Sequence, residues 1–531
     1  MTTIHTHPSP EPVLKLAGAD YELANFISGF SDHRQTGFEA SRLLLSKMDG
    51  VRTSPRTSLV TTAPSGSVLP SGYDSQDWGR KFLLNGGCAY VDLNHLEICL
   101  PEVLDARDHV ACTQALFRLA AQAARAADQE LPDGFRMELL ANNSDGFGNS
   151  FGTHLNVLVT RQLWEDLFHR RMQGLLVLAT FQASSIIISG QGKVGSENGR
   201  GHVPYQLSQR ADFLEILSGP QTTFNRPIVN SRDEALCGSP RSGLGDKVAR
   251  LHVIFYDNNL CQAAQYLKIG TLQLVLAMLE TGWLDTDLIL DRPVDAVLAF
   301  SHDPGLEARA AMMQGPPCTA LDLQRRFLDA ARRFVESGRC GETVPGSVDI
   351  LDLWEDTLDQ LARRNFQALA GRLDWVLKRT LLDQARQEQN LDWHAPELKH
   401  LDHLYSHLDP DRGLYWAMER SGLTEPLVSE DLVCRRMHEA PENTRAWTRA
   451  FLLRLIDPDH VEDVDWDHLE VRFPRRGDGG YGFRQLKLEL GDPLDHTSEL
   501  TRARLPRRAT LEQMFEALGA VEPRMVSQSY R

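Results

Sequence analysis

Two hydrophobic periods divide the chain. Val13 to Glu22 (VLKLAGADYE) carries a strand's period of two, which puts Asp20 and Glu22 on one face. Glu39 to Met48, with Ala40, Leu43, Leu44 and Leu45, predicts a short helix. A Gly-Gly turn then leads into Ala89-Tyr90-Val91. The β-forming and apolar residues from Tyr90 to Leu100 predict sheet that carries Asp92, His95 and Glu97, with Glu102 just beyond. An Ala/Leu-rich helix over about 104–128 ends at Leu131-Pro132-Asp133-Gly134, and Met137 to Leu140 reads as a strand. After the turn Asn142 to Gly146, a further strand sets His154 and Asn156 on one face and Leu155 and Val157 on the other.

Residues 165–180 predict an amphipathic helix. Ser185 to Gly195 predicts a buried strand that runs into a Gly-rich turn. The GxGxxG there opens no helix, so it carries no dinucleotide reading. Leu251 to Tyr256 predicts a buried strand, with His252 opposite Leu251 and Val253, followed by a polar turn and a long apolar helix. From about residue 320 the apolar spacing is three and four, that of amphipathic helices. Pro441 to Thr444 starts one more helix, and from about 460 the pattern changes to a strand and a hairpin. Residues 1–12 read as a disordered lead. The Ser/Thr/Pro/Gly-rich stretch at about 50–76 reads as a mobile loop whose place before the Asp92 segment fits a lid.

At 531 residues, one large domain plus a smaller one is the expectation. The net charge of −16 argues against a nucleic-acid binder. No apolar run approaches the length of a bilayer span, and no secretory leader is visible, so no membrane is expected. The eight cysteines lack any CxxC spacing, as reduced thiols in cytoplasm do.

Acids on half-buried sheet are costly without a cation or donor to meet them. Asp20 and Glu22 form one carboxylate group, and Asp92, Glu97 and Glu102 form another. Together they point to a metal or phosphate site. His154 and Asn156 could serve the same metal or a nucleotide phosphate. Arg210, Arg226 and Arg232 recur around short apolar segments, where guanidinium forks suit a polyphosphate. Surface pairs with Asp212, Glu215 and Asp233 are the competing account of those arginines. The tail at Arg502, Arg504, Arg507 and Arg508 is basic in an acidic chain, which suits either an acidic partner or a solvated face.

The order of these motifs resembles the Pup ligase and depupylase family, relatives of glutamine synthetase. The resemblance rests on NGG…YVD…H.E….PE, NN.DG.GNS.G.H.N, SQRADF.E, RPI.N.RDE and RLHVI..D.N, then HDP at 302, LDLQRRFL at 321, LDLWED at 351 and RLDW at 372. It implies an α+β fold, a glutamine-synthetase-like large antiparallel sheet packed against helices. Residues 13–425 would form the catalytic domain and 426–531 a small C-terminal domain. It implies ATP and Mg2+ as cofactors, and a small acidic Pup-like protein modifier and its conjugates as partners. By the same resemblance Asp92 is the catalytic residue, and Asp20, Glu22, Glu97, Glu102 and His154 bind metal. Arg210, Arg226 and Arg232 lie near phosphates, and Trp466 lies against the adenine.

The long loop before Asn85 and the ADFLE at 211–215 place the chain nearer the depupylase branch. That branch implies hydrolysis of an isopeptide or of a C-terminal glutamine amide. The alternatives are a carboxylate–amine ligase working through an acyl phosphate, and a nucleotide-binding regulator without catalysis. The sequence departs from the family pattern in having Leu155 where Glu is usual, and Asp20 where the longer Glu is usual. Both departures put the number of metal ions in question.

Overall fold

The computed structural model describes residues 12–30, 36–52, 80–233, 245–284, 287–477 and 480–523. The expected disordered lead lies almost wholly outside the described residues, as does most of the expected loop, although Gly50–Arg52 forms a strand.

An eight-stranded sheet organises the chain. Its strands are β1 (Ala17–Ser28), β2 (Gly50–Arg52), β3 (Lys81–Leu83), β4 (Cys88–Asp92), β5 (His95–Cys99), β6 (Arg136–Leu140), β7 (Thr153–Thr160) and β12 (Val248–Tyr256). Between the last two come short strands, β8 (Lys193–Val194) with β9 (Tyr205–Gln206), and β10 (Leu214–Gly219) with β11 (Arg226–Asn230). The order across the main sheet is β12-β7-β1-β5-β4-β3-β2, with β6 also on β1. Every pairing in it is antiparallel. β1 is long enough to serve two neighbours along one edge. Ala17 to Tyr21 pair with β7, and Ala24 to Ser28 pair with β6.

Alternation decides what each face of the sheet does. In β1 buried and half-buried positions alternate without a break, so Ala19, Tyr21 and Leu23 enter the core while Asp20 and Glu22 face the other way. Helices α1 (Gly37–Lys47), α2 (Ala106–Asp128), α3 (Arg161–Glu165), α4 (Met172–Ser189) and α5 (Gln262–Glu280) contribute to the core that covers the apolar face. α2 begins where the Asp105 carboxylate caps the N–H groups of Arg107 and Asp108.

Two predicted elements are corrected. Ser185 to Ser189 is the last turn of α4 rather than a strand, and the residues before it form α3, a π-helical turn at Asp166–Arg170, and α4. The α4 stretch is buried nearly all round rather than amphipathic. Its apolar residues fit a buried strand and a buried helix equally, and only the length separates the two. This helix is also long and apolar enough to cross a membrane, contrary to the expectation, but 78% of it is buried inside the protein.

Past the helical region, β15 (Val461–Asp465), β16 (His468–Gly477) and β17 (Gly480–Glu489) form a separate three-stranded sheet; a ribbon of β13 (Arg309–Ala310) and β14 (Cys318–Thr319) precedes it. Leu469, Val471, Leu486, Leu488 and Phe515 pack with Val51, Phe82, Cys88 and Cys99. The C-terminal elements therefore share an apolar core with the β2–β5 end of the main sheet.

Candidate active site

The polar face of the main sheet floors a cavity of about 1340 Å³. Strand pairing builds its centre. Asp20 stands opposite His154 on one side and Cys99 on the other, and Glu22 stands opposite Glu97. The β4–β5 hairpin turns through Leu93 and Asn94, with Leu93 held at φ 51°. That tight turn sets Asp92 opposite His95 and brings Tyr90 opposite Glu97.

These pairings produce two overlapping groups of ligand atoms. In one, atoms of Asp20, Glu97 and His154 lie within 4.8 Å of one another; in the other, atoms of Glu22, Asp92 and Glu97 do. Glu97 belongs to both. Its Oε1 accepts the Tyr90 hydroxyl at 2.5 Å. Glu22 Oε2 accepts the backbone N–H of Gly152 at 2.8 Å and lies 3.5 Å from His154 Nε2. Asp20 Oδ2 accepts from Asn156 Nδ2 at 2.9 Å.

The electrostatics are those of crowded, desolvated acids. Burial pushes the Glu97 carboxyl well above the usual range, and Asp20, Glu22 and Asp92 push it further. Burial also raises Asp92, with Glu22 as the next cause, and burial raises Asp20. His154 is held well below its ordinary value by burial and by Arg210, Arg226, Arg232 and Arg250, so its imidazole is neutral and free to donate a lone pair. A set dominated by carboxylate oxygens, with no thiolate among them, fits Mg2+.

Cations stand around this centre. Arg226 and Arg232 line the cavity, and Arg226 donates to the Thr222 and Ser150 carbonyls while its Nη1 has no hydrogen-bond partner among the described residues. An orphaned guanidinium N–H beside a carboxylate cluster fits a phosphate oxygen. Trp466 also lines the cavity, as do Arg80, Tyr90, Arg445 and Asp465, with Arg80 Nη1 3.7 Å from Asp465 Oδ1.

Two expected site residues take other positions. Glu102 reaches the cavity wall, but it stands in neither group of ligand atoms. Its Oε1 accepts from Arg445 Nε at 2.7 Å and its Oε2 from Arg449 Nη2 at 2.7 Å. Against burial, Arg449 and Arg445 hold its carboxyl down at about 2. A carboxylate so engaged is a partner for guanidinium rather than a metal ligand. Arg210 is fully buried, donates to the Ile254 carbonyl and does not line the cavity, although its charge acts on His154. Its Nη1 lies so near Gly152 that a Cβ there would meet it at 2.2 Å.

Several residues were not assigned a role from the sequence. Arg250 and His252 on β12 both line the cavity and both reach Asn156 Oδ1, at 2.7 and 2.8 Å. Asn156 therefore holds Asp20 with one end of its amide and two cationic or neutral nitrogens with the other. The alternation Arg250, His252 against Leu251, Val253 carried that signal. Arg80, Arg445 and Arg449 had no local signal, because only the fold brings them here.

Leu155 lies fully buried in the main core, on the face away from the cavity. The departure from Glu at that position removes no group from the polar face.

Comparison with known proteins identifies relatives across most of the chain. The model of the Pup-ligase protein family matches residues 24–470. A depupylase of Acidothermus cellulolyticus is 40% identical over 77% of this chain and 78% of its own length. A Pup deamidase/depupylase of Mycobacterium tuberculosis is 38% identical over 86% of each chain. A Pup–protein ligase of Acidimicrobium ferrooxidans is 35% identical over 74% of this chain and 85% of its own. Among solved structures, the complex between the prokaryotic ubiquitin-like protein Pup and its ligase PafA aligns with a TM-score of 0.74 at 24% identity, over 95% of this chain and 91% of that one. PafA in complex with ADP aligns at 0.66 and 26% identity, over 82% and 89%.

Proposed function

This chain belongs to the Pup-ligase family, and on that premise we propose that it is an ATP- and Mg2+-dependent depupylase or Pup deamidase. Its substrates are then a small acidic Pup-like modifier, cut as the isopeptide to a lysine or as a C-terminal glutamine amide. The hydrolytic branch is favoured by the 40% and 38% identities to depupylases against 35% to a ligase.

The observation that carries the reading is the place of Asp92. It shares one group of ligand atoms with Glu22 and Glu97 and sits at the tip of a hairpin on the cavity wall. We assign Asp92 as the nucleophile toward the amide carbon. Its oxygen forms a bond to that carbon, the C–N bond breaks, and the amine leaves with a proton from a water molecule. The hydroxide so formed then adds to the anhydride, whose C–O bond breaks to release the substrate's carboxylic acid and the free Asp92 carboxylate. Glu97, Glu22, Asp20 and His154 would hold Mg2+, which when bound supplies positive charge for phosphate and carbonyl oxygens. Arg226, Arg232 and Arg250 line the same cavity and suit the phosphates, and Trp466 suits the base. The seven described cysteines are free thiols, which fits a cytoplasmic setting.

The ligase direction is the second reading, motivated by the two PafA structures, one of them with ADP. The two separate in one assay with Mg2+, labelled ATP and a Pup-like peptide ending in Gln or Glu. Ammonia released from the Gln form without proportionate ADP supports the hydrolase. ADP formed in proportion to a new amide moves the chain to the ligase branch. An inactive regulator loses its main motive, because Leu155 faces the core.

A further inference from the structure

Glu102, Arg445 and Arg449 form a buried ion triad joining the main sheet to the C-terminal elements. Glu102 follows β5, whereas both arginines belong to the helix Arg445–Leu453. Arg449 is fully buried and makes several contacts at once. Its Nη2 donates to Glu102 Oε2 at 2.7 Å and to the Gly86 carbonyl at 2.8 Å, and its Nη1 donates to Glu102 Oε1 at 3.2 Å and to the Trp466 carbonyl at 3.0 Å. Its guanidinium carbon also lies 4.9 Å from the centre of the Trp466 ring. Phe82 meets the same indole edge-on, with centroids 5.1 Å apart at 72°. Trp466 lines the cavity and Arg449 does not.

The indole is therefore fixed by backbone and by ring, and it is backed by a cation. A cation against one face of an indole draws its electron density toward that side. The face left for the cavity becomes a poorer seat for a second cation, such as a substrate lysine, and a better one for a neutral π-system. The charge that keeps Arg449 in place is Glu102, since a buried guanidinium needs a partner.

We propose that Glu102 is a positioning residue for nucleotide-base recognition, acting through Arg449 to hold Trp466 as the wall against which a purine stacks. This inference rests on the nucleotide reading given above and deepens it. It also separates two demands on the cavity, since the phosphates are met by groups on the main sheet and β11 while the base is met through a clamp on the helix Arg445–Leu453.

The test uses the full chain and calorimetric titration in Mg2+ with two probes, ADP and inorganic pyrophosphate, which has no base. Glu102→Gln is expected to weaken ADP about tenfold while pyrophosphate changes less than about twofold. General structural damage would weaken both probes alike, and a role as metal ligand would raise the Mg2+ needed for pyrophosphate; either result overturns the proposal, as does unchanged ADP affinity. If Glu102→Gln does not fold, Arg449→Lys serves under the same criteria, because it keeps the charge and loses the planar fork. Trp466→Ala distinguishes the two levels of the argument. Should it leave ADP affinity unchanged, the assignment of Trp466 to the base fails and this inference with it. Should it weaken ADP while neither Glu102→Gln nor Arg449→Lys does, only the positioning role fails.

Discussion

Glu22 and Glu97 stand directly opposite one another across the β1–β5 ladder. Like charges at this spacing destabilise a sheet, and here burial and two further acids add to the cost. An acid whose carboxyl is raised in the fold favours the protonated state. The fold therefore loses stability as pH rises above about 4.5, the ordinary glutamate value. A cation removes that penalty. Thermal melts should show Mg2+ raising Tm more at pH 8 than at pH 5. Glu97→Gln should melt higher than the parent in EDTA, yet gain little from Mg2+. A parent whose Tm ignores Mg2+ at both pH values would remove the metal assignment.

Asp92→Asn should reduce turnover by about 10³-fold or more, because it removes the reacting charge at nearly constant volume. ADP affinity by calorimetry should stay within about twofold. Normal turnover in the variant would show that the chemistry is centred elsewhere.

Leu155→Glu should destabilise the protein rather than restore a ligand. It places a carboxylate in the apolar core beneath β7, at a cost of about 3 kcal/mol or more. The measurement is a urea melt together with the half-saturating Mg2+ concentration. A stable variant with tighter Mg2+ dependence would mean that position 155 reaches the polar face.

His468 supplies a second dependence of the same sign, in a higher pH window. Burial opposes its charge, but hydrogen bonds to Asp463 and Asp467 prevail and raise its pKa to about 9. The stability it contributes is complete below about 6.5 and is lost as pH rises through about 9. Tm should fall across that window in the parent and fall less in His468→Gln. Parallel curves would exclude the contribution.

The sequence carried the local half of this site. Period two in β1 and β7 placed Asp20 with Glu22 and His154 with Asn156, and the structure keeps each pair on the cavity side. The same period in β12 sets Arg250 and His252 on one face of a strand whose other positions are apolar. Distance along the chain set the limit elsewhere. Glu102 and its arginines are separated by 343 and 347 residues, so nothing near Glu102 distinguishes a metal ligand from a guanidinium partner. α4 is ambiguous in sequence for a different reason. A segment buried on every side has no periodicity to reveal whether it is helix or strand.

The strict alternation of β1 and β7 also divides the labour of mutation. At Ala19, Tyr21, Leu23, Leu155 and Val157 a substitution acts on how much folded protein exists. At Asp20, Glu22, His154 and Asn156 it acts on what the folded protein does. A saturation library scored for both abundance and turnover would therefore print the pleat of the sheet directly. Abundance would dip at one parity of residue number, and turnover without loss of abundance would dip at the other.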